Sequence, residues 1–302
     1  MHVTHLTITG GVYAALVTPF DESEALDLPA FQAIVECVVG CGVHGIVVAG
    51  STGESHALDA GEKERLWRAA VQGARGRCQV VAGTGATTTR EAARLQKVAA
   101  DCGCSAAMAI TPWFAHPTPE AVLRYYAELA ELTTIPLILY HIPSLTGLDW
   151  PPEAVAAVAR ELRGAVIGLK DATGDSERVR IVRKLVPEGF LIFAGGPHQR
   201  TEYSAAGTDG CIDSLATALP AEAVAAWNGE ARSIDCYTKT YAQLSCSQNF
   251  IAMLKYAMSG MGLPAGRPRR PHDGLSDEEK KSAARLSARV AVHSVSGRVA
   301  VP

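Results

Sequence analysis

The sequence has no apolar run that approaches the ~18 residues a membrane-spanning helix requires. It also has no excess of positive charge, since 28 Lys and Arg face 31 Asp and Glu, a formal net charge of −3. Nucleic-acid-binding proteins usually carry a basic excess or a basic stripe. The one basic cluster, formed by Arg267, Arg269 and Arg270, is interrupted by prolines and predicts a solvated turn. We therefore expect neither a membrane nor a nucleic acid as a partner.

Motifs for disulfides and metals are also scarce. The eight cysteines include no C-x-x-C pair, and the nine histidines include no H-E-x-x-H. Cys37 lies in the apolar stretch AIVECVV, where cysteine behaves as a small hydrophobic residue. Residues 1–5 have neither the basic start nor the apolar run of a secretory signal. We expect a cytoplasmic protein with structural thiols and no bound metal.

What the sequence does contain is a series of short apolar runs rich in β-branched residues. Each is apolar at successive positions and does not alternate, which is typical of parallel strands covered on both faces. Helical stretches lie between them, so the pattern predicts βαβ units. Eight such strands predict a (β/α)8 TIM barrel, and a doubly wound sheet is the alternative. The eight runs are residues 11–20, 45–50, 79–85, 106–112, 136–140, 166–170, 190–196 and 210–214.

The pattern changes after the eighth run. Residues 220–262 and 276–290 are predicted to be helical, and Ser276 with Glu279 predicts a capping box at the start of the second stretch. We therefore expect two units, a barrel that carries the active site and a C-terminal helical segment: residues 1–230 and 231–302.

The carboxyl ends of the strands are where a barrel of this kind carries its active site. Lys170 is the lysine that ends an apolar strand, and burial there favours the neutral, nucleophilic amine, which attacks ketones. Tyr140 ends the preceding strand, and a phenol beside an amine can relay the protons of Schiff-base formation. The alternatives are a lysine paired with Asp171 or Asp175 and a tyrosine that only fills the core.

A turn follows the second strand and carries two hydroxyl groups between glycines: Gly50-Ser51-Thr52-Gly53. Hydroxyl and backbone N–H donors on such a turn suit a carboxylate. The alternative is an ordinary strand-to-helix turn. It is not a phosphate-binding loop of the Walker A type, because no Gly-Lys-Ser/Thr follows.

Taken together, these residues resemble the dihydrodipicolinate synthase/N-acetylneuraminate lyase family of pyruvate-dependent class I aldolases, over nearly the whole chain. The resemblance implies a (β/α)8 barrel with a C-terminal helical segment, usually as a homotetramer built as a dimer of dimers. The motifs that carry it are Thr18-Pro19-Phe20, Gly50-Ser51-Thr52-Gly53-Glu54, Tyr140-His141-Ile142-Pro143 with Thr146-Gly147, Gly168-Leu169-Lys170-Asp171-Ala172-Thr173-Gly174-Asp175, and Gly207-Thr208-Asp209-Gly210.

The resemblance also implies roles for individual residues. Lys170 forms a Schiff base with pyruvate or another 2-oxo acid, so that no cofactor is needed, and Tyr140 relays protons. The Ser/Thr pair holds the substrate carboxylate. The site residues implied in this way are catalytic Lys170, Tyr140 and Thr52 and substrate-binding Gly50, Ser51, Thr52 and Ile212.

Three positions depart from the family pattern and predict a divergent substrate. Leu145 stands where dihydrodipicolinate synthases carry an arginine for the aspartate-semialdehyde carboxylate. His198 lies in the stretch where sialic acid lyases carry acidic residues, and we expect it to contact substrate, whereas His141 is expected to pack against its loop. Phe114 stands where a tyrosine of the family completes the proton relay. We therefore expect one of three outcomes: the relay is shortened to Thr52 and Tyr140, a water molecule takes the place of the tyrosine, or the relay is impaired.

The function predicted from these features is a lyase or aldolase that forms a Schiff base on Lys170. Its substrate is pyruvate or a 2-keto-3-deoxy sugar acid, and the reaction is aldol cleavage, condensation or dehydration. The alternatives are a 4-hydroxy-tetrahydrodipicolinate synthase that condenses pyruvate with aspartate semialdehyde, and a catalytically silent protein that binds a 2-oxo acid.

Overall fold

The structure is a computed structural model that describes residues 7–115, 117–195, 200–245, 247, 249–272 and 274–294. Eight parallel strands follow one another around a closed barrel, because β1 pairs with both β2 and β8. This closure confirms the predicted (β/α)8 barrel and excludes a doubly wound sheet, which has open edges. The strands are β1 Gly11–Ala15, β2 Gly45–Val48, β3 Gln79–Gly83, β4 Ala106–Ile110, β5 Leu137–His141, β6 Val166–Asp171, β7 Leu191–Ala194 and β8 Gly210–Asp213.

Helices connect the strands and continue after the last one. None of those in the described part of the chain has both the length and the hydropathy that crossing a bilayer requires. Short 3-10 turns lie at Ser55–Ala57 and Leu215–Thr217. The α-helices are α1 Leu28–Gly40, α2 Ala60–Ala74, α3 Thr89–Asp101, α4 Pro119–Leu132, α5 Pro143–Thr146, α6 Pro152–Glu161, α7 Ser176–Leu185, α8 Arg200–Ala206, α9 Pro220–Trp227, α10 Ala231–Ser245, α11 Phe250–Gly260 and α12 Asp277–Ser294.

The strands bury both of their faces, which explains their continuous apolar sequences. On β5, Ile138 and Tyr140 belong to the cluster that fills the barrel, whereas Leu137 and Leu139 belong to the larger cluster between the barrel and the helices. Successive side chains of a strand point to opposite faces, so each strand supplies both layers. The inner layer is therefore where a polar side chain at a strand end reaches the barrel mouth.

The pairing of β5 with β6 changes register once. Leu137 pairs with Val166, whereas the next residue, Ile138, pairs with Gly168. Strand β6 thus contains one extra residue, Ile167, which forms a β-bulge. Every pairing beyond this point is displaced by one residue along β6.

A capping box and a left-handed glycine mark two of the helix ends in the C-terminal part of the chain. Ser276 and Glu279 form the predicted capping box, with bonds in both directions between their side chains and backbone N–H groups. The stretch 220–262, predicted to be helical, divides into three helices. One division lies at Gly229, whose φ of +93° belongs to the left-handed region and ends α9.

The basic cluster near residue 269 is not a solvated turn, and that prediction was wrong. The Arg269 guanidinium bonds to both oxygens of Glu62, with side-chain exposures of 16% and 12%, and lies 4.2 Å from the centre of the Phe20 ring. Arg270 is 82% exposed and pairs with Glu24. The loop folds back onto the connections that follow β1 and β2, where its arginines contact partly exposed Glu24 and buried Glu62. Its sequence alone does not show those partners.

Candidate active site

Tyr140 and Lys170 lie side by side at the carboxyl ends of β5 and β6. They are register partners beyond the bulge, and Phe193 on β7 is the next partner of Lys170. The Lys170 Nζ lies 4.2 Å from the centre of the Tyr140 ring. Both side chains are almost completely buried, with 5% and 4% exposure. The predicted amine–phenol pair is thus brought together at the mouth of the barrel.

The carboxylates that could have held Lys170 in an ion pair are engaged elsewhere. Asp171 points to the opposite face of β6, where it accepts hydrogen bonds from Arg178 Nε at 3.0 Å and from the Thr173 hydroxyl. Asp175 caps α7. Among the residues that the structure describes, Lys170 has no ion-pair partner. No carboxylate in that part of the chain therefore holds the amine in an ion pair.

The two hydroxyl groups of the turn after β2 form hydrogen bonds with different partners. Ser51 Oγ lies 3.1 Å from Tyr140 Oη, and Thr52 Oγ1 lies 2.7 Å from Ser214 Oγ. The turn is tight: a Cβ at Gly53 would lie 3.0 Å from the Leu16 carbonyl oxygen. Ser51, and not the predicted catalytic Thr52, is thus the hydroxyl beside Tyr140, because adjacent side chains of the turn diverge. Ser214 at the end of β8 is a partner that the sequence did not indicate.

A cavity of about 220 Å³ opens beside Tyr140. Of the predicted substrate-binding residues, Gly50, Ser51 and Leu145 line it. Ile212 lies in the inner barrel cluster with Tyr140. The complete lining is Ala49, Gly50, Ser51, Ser55, His56, Gly83, Gly85, Met108, Ile110, Trp113, Tyr140 and Leu145.

Of the two other predicted contacts, one is outside this cavity and one is not described by the structure. Phe114 has a left-handed backbone, with φ of +80°, and its side chain is 91% exposed, so it does not reach the cavity of its own chain. His198 lies outside the described residues. Two larger cavities, of about 670 and 1020 Å³, lie at the opposite end of the barrel and beside the loop near residue 270. Neither is lined by Tyr140, so neither is the candidate active site.

A buried ion pair supports the hydroxyl turn from behind. Lys255 on α11 donates to Glu54 Oε1 at 2.6 Å, and the Arg269 backbone N–H donates to Glu54 Oε2 at 2.9 Å. Glu54 and Lys255 are completely buried, and burial lowers the pKa of Lys255 despite its partner. Sequence analysis did not identify this pair, although a lysine inside the apolar stretch FIAMLKYAM was a signal for it.

A second polar chain lies behind β5 and β6, buried at His141, Asp171 and Arg178 and exposed at Asp149. His141 Nε2 lies 3.0 Å from Asp149 Oδ1, and Arg178 lies 3.6 Å from the same oxygen and also binds Asp171. Burial and the Arg178 charge lower the pKa of His141. His141 and Asp171 are register partners directly beyond Tyr140 and Lys170. This chain ties the ends of the two strands together. The histidine thus packs against its own loop, as predicted.

A buried acid ends β8. Asp213 accepts hydrogen bonds from the Tyr237 hydroxyl on α10 and from the Ala216 backbone N–H. Burial raises the pKa of Asp213 to about 6. No three His, Cys, Asp or Glu side chains within the described ranges cluster as metal ligands.

The geometry can be compared with known proteins. The model of the dihydrodipicolinate synthetase family matches residues 8–289. The chain belongs to the dihydrodipicolinate synthetase family. A curated relative from Thiobacillus denitrificans, named 4-hydroxy-tetrahydrodipicolinate synthase, is 34% identical over 94% of this chain and 98% of its own. A relative of the same name from Methylococcus capsulatus is 39% identical over 70% of this chain and 72% of its own.

Solved structures agree with this family membership. Dihydrodipicolinate synthase from Acinetobacter baumannii, complexed with pyruvate, is 28% identical with a TM-score of 0.88, over 95% of this chain and 100% of that one. CdNal from Clostridium difficile, in complex with mannosamine, is 26% identical with a TM-score of 0.86, over 94% of this chain and 99% of that one. As a member of the dihydrodipicolinate synthetase family, the chain is a class I, pyruvate-dependent lyase of the aldolase type.

Proposed function

We propose that the protein forms a Schiff base between Lys170 and a 2-oxo acid, pyruvate or a 2-keto-3-deoxy sugar acid, and catalyses aldol cleavage, condensation or dehydration. The observation that carries this proposal is the buried Lys170 amine beside the Tyr140 phenol, without a carboxylate partner in the described part of the chain. No cofactor enters the proposal, because the protonated imine itself withdraws electrons from the neighbouring carbon.

The neighbouring groups have distinct proposed roles. The substrate carboxylate binds at the turn formed by Gly50, Ser51 and Thr52, through backbone N–H groups and the Ser51 hydroxyl. Tyr140 protonates the departing hydroxyl of the carbinolamine and exchanges that proton through Ser51, 3.1 Å away. Thr52, bonded to Ser214, holds the turn in position.

Trapping tests this proposal. Borohydride reduction in the presence of pyruvate should add a pyruvyl mass to a peptide that contains Lys170. The Lys170→Arg variant is the matched control, because it keeps the positive charge but cannot form the imine. An unmodified Lys170 in folded protein would contradict the proposal. EDTA treatment should leave turnover unchanged.

A 4-hydroxy-tetrahydrodipicolinate synthase is the second candidate, favoured by the names of the relatives. The residue beside the cavity, Leu145, offers no hydrogen bond to a second carboxylate. Pyruvate consumption with aspartate semialdehyde as the acceptor separates the two candidates. A catalytically silent binder, suggested by the phenyl side chain of Phe114, would instead be stabilised by pyruvate without any turnover.

We also propose a homotetramer, a cytoplasmic location and two structural units. The support for an oligomer is the exposure of apolar side chains at Phe114, Leu132 and Leu145. Light scattering after gel filtration tests the subunit number, and cell fractionation tests the location.

The proposed units are a barrel of residues 1–230 and a helical segment of residues 231–302, and limited proteolysis near residue 230 tests that boundary.

A further inference from the structure

The cavity beside Tyr140 carries no fixed charge for a second substrate. The described residues that line it include no Asp, Glu, Lys or Arg. Its one imidazole is His56, and burial together with the nearby His272 lowers the pKa of His56, which disfavours the charged imidazolium. Burying a second carboxylate here without a partner would cost several kcal/mol. The cavity therefore disfavours an acceptor that carries its own carboxylate.

The walls of the cavity are mainly apolar. Ile110 is the register partner of Tyr140, so an aliphatic side chain lies directly beside the phenol. Met108, two residues earlier on β4, comes within 3.7 Å of the Cβ position of Gly50. Trp113 and Leu145 complete these apolar walls. An apolar group placed against them gains about 25 cal/mol per Å² of buried surface.

A polyhydroxylated acceptor fits these walls poorly. Apart from Ser51 and Tyr140, which serve the 2-oxo acid, the described lining offers hydrogen bonds from the side chains of Ser55 and His56 and from the indole N–H of Trp113. Several hydroxyl groups buried against Met108 and Ile110 would lose their hydrogen bonds to water without replacement. The volume of about 220 Å³ also restricts the acceptor to a small molecule.

We infer that the second substrate is a small, uncharged aldehyde with an apolar substituent, aromatic or branched aliphatic. This inference rests on the proposed Schiff base at Lys170. The pyruvate imine loses a proton from its methyl carbon and becomes an enamine. That carbon then attacks the aldehyde carbon, and the aldehyde oxygen takes up a proton. Hydrolysis with one water releases Lys170 and a 4-hydroxy-2-oxo acid, without change of oxidation state, and cleavage runs the same steps in reverse.

An acceptor panel tests the inference. Pyruvate is held constant, and product is measured by mass spectrometry with benzaldehyde, isobutyraldehyde, D-glyceraldehyde and succinic semialdehyde. We expect kcat/KM for benzaldehyde to exceed that for each of the last two by about tenfold or more, the discrimination an apolar pocket provides. Equal or faster turnover of glyceraldehyde or succinic semialdehyde overturns the inference.

Two surface variants sharpen this test. Leu145→Arg places a carboxylate partner at the cavity, and it should lower the benzaldehyde-to-succinic-semialdehyde ratio by about tenfold. Ile181→Arg is the matched control, since Ile181 is 37% exposed on α7 and does not line the cavity, so its ratio should equal that of the parent. An unchanged ratio in Leu145→Arg overturns the inference.

The trapping experiment distinguishes failure of the acceptor inference from failure of the Schiff-base proposal. If pyruvate is trapped on Lys170 but neither apolar aldehyde gives product, the inference about the acceptor fails and the Schiff-base proposal stands. If pyruvate is not trapped, the Schiff-base proposal fails and the acceptor inference falls with it.

Discussion

Removing the charge of Lys255 should destabilise the protein strongly. The Lys255 Nζ lies 2.6 Å from Glu54 Oε1 and 2.9 Å from the Arg267 carbonyl oxygen, and both members of the ion pair are completely buried. In Lys255→Met the Glu54 carboxylate keeps one bond, from the Arg269 backbone N–H, but loses its counter-charge. Breaking a buried pair in this way costs about 3–5 kcal/mol. Most of that cost comes from the buried carboxylate left without a counter-charge.

Equilibrium denaturation of a double-mutant cycle measures this cost. In Glu54→Gln/Lys255→Met no buried charge remains, and the glutamine oxygen can still accept from Arg269. The double variant should therefore lose much less than the sum of the two single losses. Lys239→Met is the control, because its pair with Asp235 is more than 60% exposed on both sides and should cost less than about 1 kcal/mol. If Lys255→Met costs no more than Lys239→Met, or if the single losses add, the reasoning is wrong.

Three further outcomes are expected. Tyr140→Phe should slow pyruvate trapping by about 10²–10⁴-fold, the usual range for a lost proton-transfer group, and a thermal melt should show an unchanged fold. The pKa of Asp213 is about 6 in the folded protein, above its unfolded value of 3.8. Ionisation of Asp213 therefore opposes folding, and its contribution to the free energy of unfolding falls as pH rises from about 4 to 6. Asp213→Asn should remove that slope, and denaturation at pH 4.5 and pH 7 should show the variant gaining up to about 3 kcal/mol relative to the parent, from 1.36 kcal/mol per pKa unit. The pKa of His141 is lowered in the folded protein, so the stability that the neutral imidazole contributes is lost as pH falls below its unfolded pKa. His141→Asn should therefore flatten the plot of stability against pH between pH 5 and pH 6.5. An unchanged plot would show that the histidine is not involved.

The barrel could be predicted from the sequence because its signals are local. Each apolar run forms a strand, and runs such as GIVVAG are continuous because the strands are buried on both faces. The pairing of Tyr140 with Lys170 followed from the position of each residue at a strand end. Local patterns were sufficient for these features.

The supports of the site could not be predicted, because their partners are distant in the sequence. Glu54 meets Lys255 201 residues away, and Arg269 meets Glu62 207 residues away. A charged residue in a proline-rich loop has the same local sequence whether it is solvated or buried, and only the folded chain shows which acid receives it. The partner of Thr52 was missed for the same reason, since Ser214 lies 162 residues further on.

The β-bulge in β6 determines which chemical groups meet. If Ile167 were paired with Ile138 and the ladder continued regularly, Tyr140 would lie opposite Leu169, and Lys170 would point towards the surrounding helices. A strand without Ile167 would still pair Tyr140 with Lys170, so this deletion leaves the amine on its side of the wall. One regularly paired residue added between the bulge and Lys170 would instead turn the amine to the other side and leave a recognisable barrel, so engineering of this strand must preserve the spacing from the bulge to the lysine.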